Sequence, residues 1–361
     1  MTNINQNNLA TASVAQIMPT EFVLQLISSL KPRTKDILVK RFGLEGDRRH
    51  TLEEIGKNHD ITRERVRQIE SAALKDLQKG NKIKAIEPCE SLLESVIDEH
   101  GEAMEHNHLV EAFIERVAPA ETHGNVVDFM LNLSNKFNDF SDSEHTHKAW
   151  TKQGGSIDIP QKIIEAAHAV LKSQNKPLKE ADIVKNLLQH EAAQKHSVSD
   201  PKHVQSYLRL SKKILKNPFA EWGFTHWNEI APKGVKDKAF LVLKKNEKPL
   251  HFKEITNSIN DTSFGGRKAI PQTVHNELIK DERFVLVGRG IYGLTEWGYS
   301  SGTVADVVEH VLKEAGKPMA KEDVIAKVLE QRIVKRNTVA LALQNAERFE
   351  RVNKQTYTLA G

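Results

Sequence analysis

The chain has 361 residues, 39% of them hydrophobic and 28% charged, with a formal net charge of +4. That length asks for two or more domains, and that balance fits packed globular modules rather than a disordered chain. No apolar run reaches the roughly 20 residues of a membrane span, the Asn-rich start lacks the basic and apolar regions of a signal peptide, and a single cysteine, Cys89, rules out an internal disulfide framework and points to a reducing cytoplasm.

Residues 1–18 read as a disordered tail. Thr20 then caps a short helix over Glu21–Leu30, with Phe22, Val23, Leu26 and Ile27 as its apolar side. A second helix runs from Pro32 to Phe42 on the stripe Ile37, Leu38, Phe42. Thr51-Leu52-Glu53-Glu54 is a capping box that opens a third helix, and Thr62, after the turn Asp60-Ile61, caps a fourth. In that fourth helix Val66, Ile69, Ala73 and Leu77 recur three or four apart and face inward. Arg63, Glu64, Arg67, Gln68 and Ser71 fall on the other side. Arg forks onto guanine, Gln onto adenine, and Glu accepts from cytosine, so this edge has the chemistry of a major-groove reader. Two helices joined by a tight turn, the second so decorated, describe a helix-turn-helix. Lys79-Gly80-Asn81 ends the helix and Lys82–Cys89 reads as a linker.

Charge supports this placement. Residues 30–84 carry 15 Lys/Arg against 9 Asp/Glu, residues 90–153 carry 4 against 13, and residues 154–361 carry 33 against 24. The first block suits a polyanion, whereas phosphate contact disfavours the acidic second block. That block is instead expected to bind protein.

The segment Arg33…Ile37-Leu38…Arg41-Phe42-Gly43-Leu44, followed by Thr-Leu-Glu-Glu-Ile-Gly and by Ile61-Thr62-Arg63-Glu64-Arg65-Val66-Arg67-Gln68-Ile69-Glu70 through Ala73-Leu74, resembles region 4 of the primary bacterial sigma factors. The resemblance covers about fifty residues. It implies recognition of a promoter −35 element in double-stranded DNA and docking on the flap of the RNA polymerase β subunit. By position it makes Arg63, Glu64, Arg67 and Gln68 base readers, and Arg65, Arg33 and Arg41 phosphate or supporting contacts, with Thr62 and Ser71 on the same DNA-facing edge. Only about thirty residues precede the module. The expectation is therefore an accessory factor or half of a split sigma rather than a full sigma factor.

Beyond residue 90 the chain repeats with a period near seventy. Lys176-Pro177-Leu178 leads to Asp182-Ile183, Lys248-Pro249-Leu250 to Glu254-Ile255, and Lys317-Pro318-Met319 to Asp323-Val324. In each copy Pro fixes a turn, the next residue plugs the core, and the acid sits in a helix's first turn. Helices are expected before each turn, at Ile163–Leu171, Lys238–Lys244 and Val304–Lys313. A third helix follows, as at Pro271–Lys280 and Asn337–Ala346. Hairpins close the copies at Phe219–Ile230, Phe284–Leu294 and Phe349–Leu359, with an aromatic residue eight positions after each opening Phe: Trp227, Tyr292, Tyr357. An eroded copy fits 90–153, with Gly101-Glu102-Ala103-Met104 at the turn and Phe137, Phe140 and Trp150 in a longer wing. The strings Arg283-Phe284…Val287-Gly288-x-Gly290-x-Tyr292-Gly293-Leu294-x-Glu296-Trp297 and Gly316-Lys317-Pro318-Met319 resemble HARE-type winged helices. These occur in the RNA polymerase δ subunit, some restriction endonucleases and chromatin proteins, and no single function transfers from them.

The expected fold is mainly α: a sigma region 4 helix-turn-helix bundle at 19–84, then three or four tandem winged-helix domains at 90–153 (divergent), 158–231, 232–298 and 303–361. Arg332, Lys335, Arg336 and the wing-tip residues Arg289 and Lys354 are candidate phosphate contacts. The pairs His106/His108 and His145/His147 lack the further ligands of a metal site, Cys89 lacks a catalytic partner, and Gly265-Gly266-Arg267 reads as a loop rather than a nucleotide cradle. No cofactor, metal, catalytic site or membrane contact is expected. The leading expectation is sequence-specific DNA binding in bacterial transcription initiation. A non-specific nucleoid or scaffold protein is the alternative, and a nuclease-associated DNA-binding protein is a third reading.

Overall fold

The computed structural model describes residues 17–46, 48–79, 82–117 and 122–360. The expected tail lies outside them apart from Ile17 and Met18, and so do Gly80 and Asn81 of the expected helix stop. The chain forms two compact units that divide between Leu215 and Lys216.

The first unit opens with four helices: α1 Pro19–Ser28, α2 Pro32–Phe42, α3 Leu52–His59 and α4 Arg63–Gln78. The first helix starts at Pro19, whose fixed φ suits the opening turn. Met18, not Thr20, holds the cap position. Gly43, at φ 65°, stops α2 in the left-handed conformation.

The expected linker over Lys82–Cys89 is not a linker. Lys82–Ile86 forms a 3-10 helix that runs straight into α5, Glu87–Glu99. Ile86 and Cys89 are fully buried, and burial pushes the Cys89 thiol up to about 12.

From α5 onward one order recurs: helix, strand, helix, helix, strand, strand. The first copy continues with β1 Ala103–Glu105, α6 His106–Ile114, α7 Gly124–Leu133, β2 Phe137–Phe140 and β3 Ala149–Lys152. Its strands lie in the order β1-β3-β2, both pairings antiparallel. This copy shares a hydrophobic core with the four helices before it. Val23, Ile27, Leu38, Leu44 and Leu77 pack together with Leu93, Phe113, Phe129, Met130 and Trp150. Phe42 meets Phe129 edge-on with ring centroids 5.0 Å apart. Arg49 pairs with Asp128 and donates from Nε to Asn125 Oδ1 at 2.9 Å. Asn125 in turn donates to Gly43 O at 3.2 Å. Much of the acidic block's apolar surface is thus covered within the chain.

The second copy supplies α8 Asp158–Gln174, β4 Leu178–Lys179, α9 Glu180–Gln189, a short α10 Glu191–Lys195, α11 Pro201–Arg209 and β5 Ile214–Lys216. Helix α11 leans on the first copy. Tyr207 Oη donates to Gly101 O at 2.5 Å and Ser206 Oγ to Ala103 O at 3.2 Å.

The second unit continues with β6 Glu221–Phe224. It then holds α12 Val235–Asn246, β7 Leu250–His251, α13 Phe252–Asp261, α14 Pro271–Lys280, β8 Phe284–Gly288 and β9 Ile291–Leu294. The last copy is α15 Val304–Ala315, β10 Met319–Ala320, α16 Lys321–Gln331, α17 Arg336–Ala342, β11 Phe349–Arg351 and β12 Thr356–Leu359. Sheets β7-β9-β8 and β10-β12-β11 repeat the topology of the first copy. Tyr292 faces Leu250 across the ladder, Tyr357 faces Met319, and Trp150 faces Met104, one aromatic plug in one register.

That register corrects the second hairpin. Its opening strand starts at Ile214, not Phe219, and eight residues on stands Trp222, 1% exposed. Trp222, not Trp227, is therefore the counterpart of Tyr292 and Tyr357. A second correction concerns Arg332. It is 4% exposed and donates from Nη1 to Leu286 O, so it is no phosphate contact. Beside it Ile333 N donates to Val287 O at 2.7 Å, and this short segment runs along β8. Arg336 is held by Glu322.

The molecule is thus mostly helical, with small antiparallel sheets between helices, an arrangement compatible with winged-helix domains. Among the described residues no helix is long and apolar enough to cross a membrane, and no group of His, Cys, Asp and Glu is placed to hold a metal ion.

Candidate nucleic-acid interface

The hinge between α3 and α4 is built from local signals. Thr51 Oγ1 accepts from Glu54 N at 3.2 Å while Glu54 Oε2 accepts from Thr51 N at 2.8 Å, the reciprocal capping box. Arg48 donates to the same carboxylate at 2.8 Å. That hydrogen bond, with the Thr51 amide, lowers the Glu54 carboxyl to about 2. Helix α3 stops at Asp60, which takes a left-handed φ of 54°, a conformation Asp tolerates better than most residues. Ile61 N then donates back to Gly56 O at 3.0 Å. A Cβ on Gly56 would sit 2.6 Å from Ile61 O, so the turn closes only on a glycine.

Helix α4 starts under the Thr62 hydroxyl, which accepts from Arg65 N at 3.2 Å. The hydroxyl is thereby committed to the cap. Val66 packs with Ile37 and Ile55 in a small core bordered by Leu52, Ile61 and Ile69. Ala73 and Leu77 join the larger core. The inward face read from the sequence is the buried one.

The outward edge is open. Arg63, Glu64, Arg65, Arg67, Gln68 and Ser71 are all exposed. Four of them are also ordered in two pairs. Arg67 grips Glu64 with two hydrogen bonds, Nε at 3.0 Å and Nη2 at 2.7 Å. The bonded guanidinium holds the Glu64 carboxyl below its ordinary range. Arg65 donates to Gln68 Oε1 at 3.1 Å. A guanidinium fork held beside a carboxylate presents donors and acceptors along one strip of helix, the pattern that base edges require.

The supporting arginines have other positions. Arg33, exposed, donates to His59 O at 2.6 Å and ties the start of α2 to the end of α3. Arg41 is half-buried, donating to Glu70 Oε2 at 3.2 Å and to His50 O at 3.4 Å. It braces α2 against α4 rather than standing free for a phosphate. Sequence reasoning missed Arg49 and Asp128, which bind the basic module to the acidic block. The adjacent blocks of opposite net charge were the available signal.

Comparison with known proteins bears on this constellation. Residues 26–79 match the sigma-70 region 4 family. The helix-turn-helix just described is that region. Within the match fall both caps, Gly56 and the whole outward edge. Residues 234–297 match the HARE-HTH family, a helix-turn-helix domain named in part for ASXL proteins and restriction endonucleases. That match spans α12 to the residues after β9.

Several sigma factors are similar to this chain over about a fifth of its length. RNA polymerase sigma factor RpoD of Neisseria gonorrhoeae is 44% identical over 73 residues, 20% of this chain and 11% of that protein. RNA polymerase principal sigma factor HrdD of Streptomyces coelicolor is 46% identical over 67 residues, 19% of this chain and 20% of that protein. RNA polymerase sigma factor SigA of Clostridium acetobutylicum is 44% identical over 69 residues, 19% and 18% respectively. The chain spans a fifth or less of the length of these relatives. It carries an N-terminal sigma-70 region 4 helix-turn-helix and a downstream HARE-HTH domain. Both matches support a DNA-binding, transcription-related role.

Proposed function

We propose that this protein binds promoter DNA in a sequence-specific way and acts in bacterial transcription initiation, with α4 entering the major groove at a −35-like element. The observation that carries the reading is the outward strip Arg63, Glu64, Arg67 and Gln68, exposed on a capped helix inside a sigma region 4 match. Arg63, Glu64, Arg67 and Gln68 read bases, Glu64 also orienting Arg67 through the two-bond fork, and Arg65 holds a phosphate. Thr62 sets where the helix starts, Arg33 ties α2 to the end of α3, and Arg41 braces α2 against the reading helix. Ser71, exposed two turns along, extends the strip to a backbone contact. The repeats after residue 90 are four winged-helix domains in this reading, the first of them fused to the reader.

The relatives' names support RNA polymerase core as the protein partner, with the β flap as the expected contact. Helix α7 already covers an apolar side of the module. Polymerase docking therefore uses the surface that remains exposed around α1 to α3.

Competition binding at fixed salt tests the DNA reading. Arg67→Ala and Gln68→Ala are expected to cost about 1–3 kcal/mol each on a −35-like duplex and much less on random duplex. Equal losses on both duplexes would show that α4 does not read sequence, and would favour a non-specific nucleoid role.

A further inference from the structure

Arginines in this chain grip acids with one edge of the guanidinium, the pair Nε and Nη2. Arg67 holds Glu64 that way at 3.0 and 2.7 Å, and Arg283 holds Asp281 at 2.9 and 2.7 Å. Two parallel N–H donors match the two oxygens of a carboxylate. Arg332 is placed differently. Its Nη1 donates to Leu286 O, while its Nε is enclosed without a hydrogen-bond partner. Among the described residues Nη2 makes no bond, and no acid forms an ion pair with this side chain. Asp306, whose charge reaches Arg332 across space, is already bound by Arg348 and by the Thr303 amide, the latter at 2.6 Å. A guanidinium only 4% exposed thus keeps its carboxylate-gripping edge empty. Burial pushes it below the usual arginine range. An unpaired buried cation costs stability, and such a group calls for a reason.

We propose that the Nε/Nη2 edge of Arg332 is a carboxylate-binding site, taking an Asp or Glu side chain from an extended segment of a partner protein laid over the joint of the last two copies. The inference goes beyond the DNA-binding reading and uses residues which that reading leaves idle.

The surroundings fit an acidic, partly apolar segment. Ile333 N donates to Val287 O at 2.7 Å, which brings Leu286 and Ile333 to one joint. These two side chains are 45% and 46% exposed, an apolar border to the guanidinium. Ser300 Oγ donates to Gln331 Oε1 at 2.6 Å and fixes the residue before Arg332. The close approach of Gly288 to Ile333 O sets the exposed Arg289 beside the joint, and Lys335, also exposed, follows two residues after Ile333. Cations at the rim steer an acidic chain toward the site, and the apolar pair gives it anchors. A duplex phosphate is a poor occupant. Phosphate contacts are made by exposed cations along a bulky backbone, whereas a carboxylate on a thin stem reaches a recessed guanidinium.

The test uses the full-length protein with isotope-labelled arginine side chains, the Arg332 Nε resonance being assigned by its loss in Arg332→Met. The probes are two capped tripeptides, Val-Glu-Val and Val-Gln-Val, and inorganic phosphate, all at one ionic strength. The Glu peptide is expected to shift the Arg332 Nε resonance and to bind about tenfold tighter than the Gln peptide. Arg332→Met and Arg332→Lys are both expected to erase that preference, the Lys variant because a point charge lacks the fork. Circular dichroism establishes that each variant is folded. Equal binding of the two peptides by the unaltered chain overturns the site. A preference for the Glu peptide that survives in folded Arg332→Met overturns it too, and so does a resonance that phosphate shifts and the Glu peptide does not. No step involves DNA, so failure here leaves base reading by α4 standing, and failure of base reading leaves this site standing.

Discussion

Gly56 shows how one atom sets the angle of the reading helix. Any side chain there would collide with the Ile61 carbonyl, 2.6 Å from the new Cβ, and that carbonyl belongs to the turn leading into α4. Gly56→Ala gains about 1 kcal/mol of helix propensity and is expected to lose more through this overlap. The expected outcome is a lower Tm together with weaker DNA binding, read by calorimetry and by competition. A variant at least as stable as the parent, with full DNA affinity, would show that the turn relaxes freely. At this scale the sequence was legible where the signal is local. Thr51, Glu54 and Thr62 act within four residues of themselves, and each cap is present with its donor and acceptor as expected. The place of Arg332 is not legible locally, because its partner is tertiary. An arginine before a helix looks like a phosphate contact until a strand from another copy supplies a carbonyl for it.

Elements tell the same story with a different range. Helices α2 and α14 lie at the bounds that apolar spacing gave, Pro32–Phe42 and Pro271–Lys280. Spacing reports which face is apolar but not what covers it. That is why the segment 82–89, polar in composition around Ile83, Ile86 and Cys89, read as a linker and proved to feed the core. The hairpin after α11 opens five residues before Phe219, whose residue type matches the opening Phe of the other copies. The residue in that role is Ile214. Helix α7 gives the element-scale prediction. Phe129 is fully buried and meets Phe42, so Phe129→Ala is expected to cost about 3–5 kcal/mol. Because the two blocks share one core, the loss is expected in a single transition that removes DNA binding at the same temperature. Separate melting of residues 17–79, with α4 still able to bind, would refute the shared core.

For the whole molecule, one repeated unit performs several tasks. The first copy supports the helix-turn-helix, the second leans its third helix on the first, and the third receives a segment of the last along β8. Sequence periodicity revealed the repeat, since the Lys-Pro turns and aromatic plugs are written in residue type. The division of labour was not legible, because it depends on which faces meet.

The pairing of Arg332 and Ile333 with β8 carries a consequence for handling the protein in pieces. In the sheet β7-β9-β8, β8 is an outer strand. Its carbonyls at Leu286 and Val287 are taken up by the following copy. Gly288 allows this, since a Cβ there would lie 2.6 Å from Ile333 O. Outer strands left bare invite pairing with other chains. A product truncated after Gly298 would bare those carbonyls beside Leu286, already 45% exposed. It is expected to self-associate in sedimentation, where a product carried through Leu359 stays dispersed. Proteolytic clipping near residue 300 would therefore turn a dissolved protein into a sticky one, and storage conditions should guard that joint first.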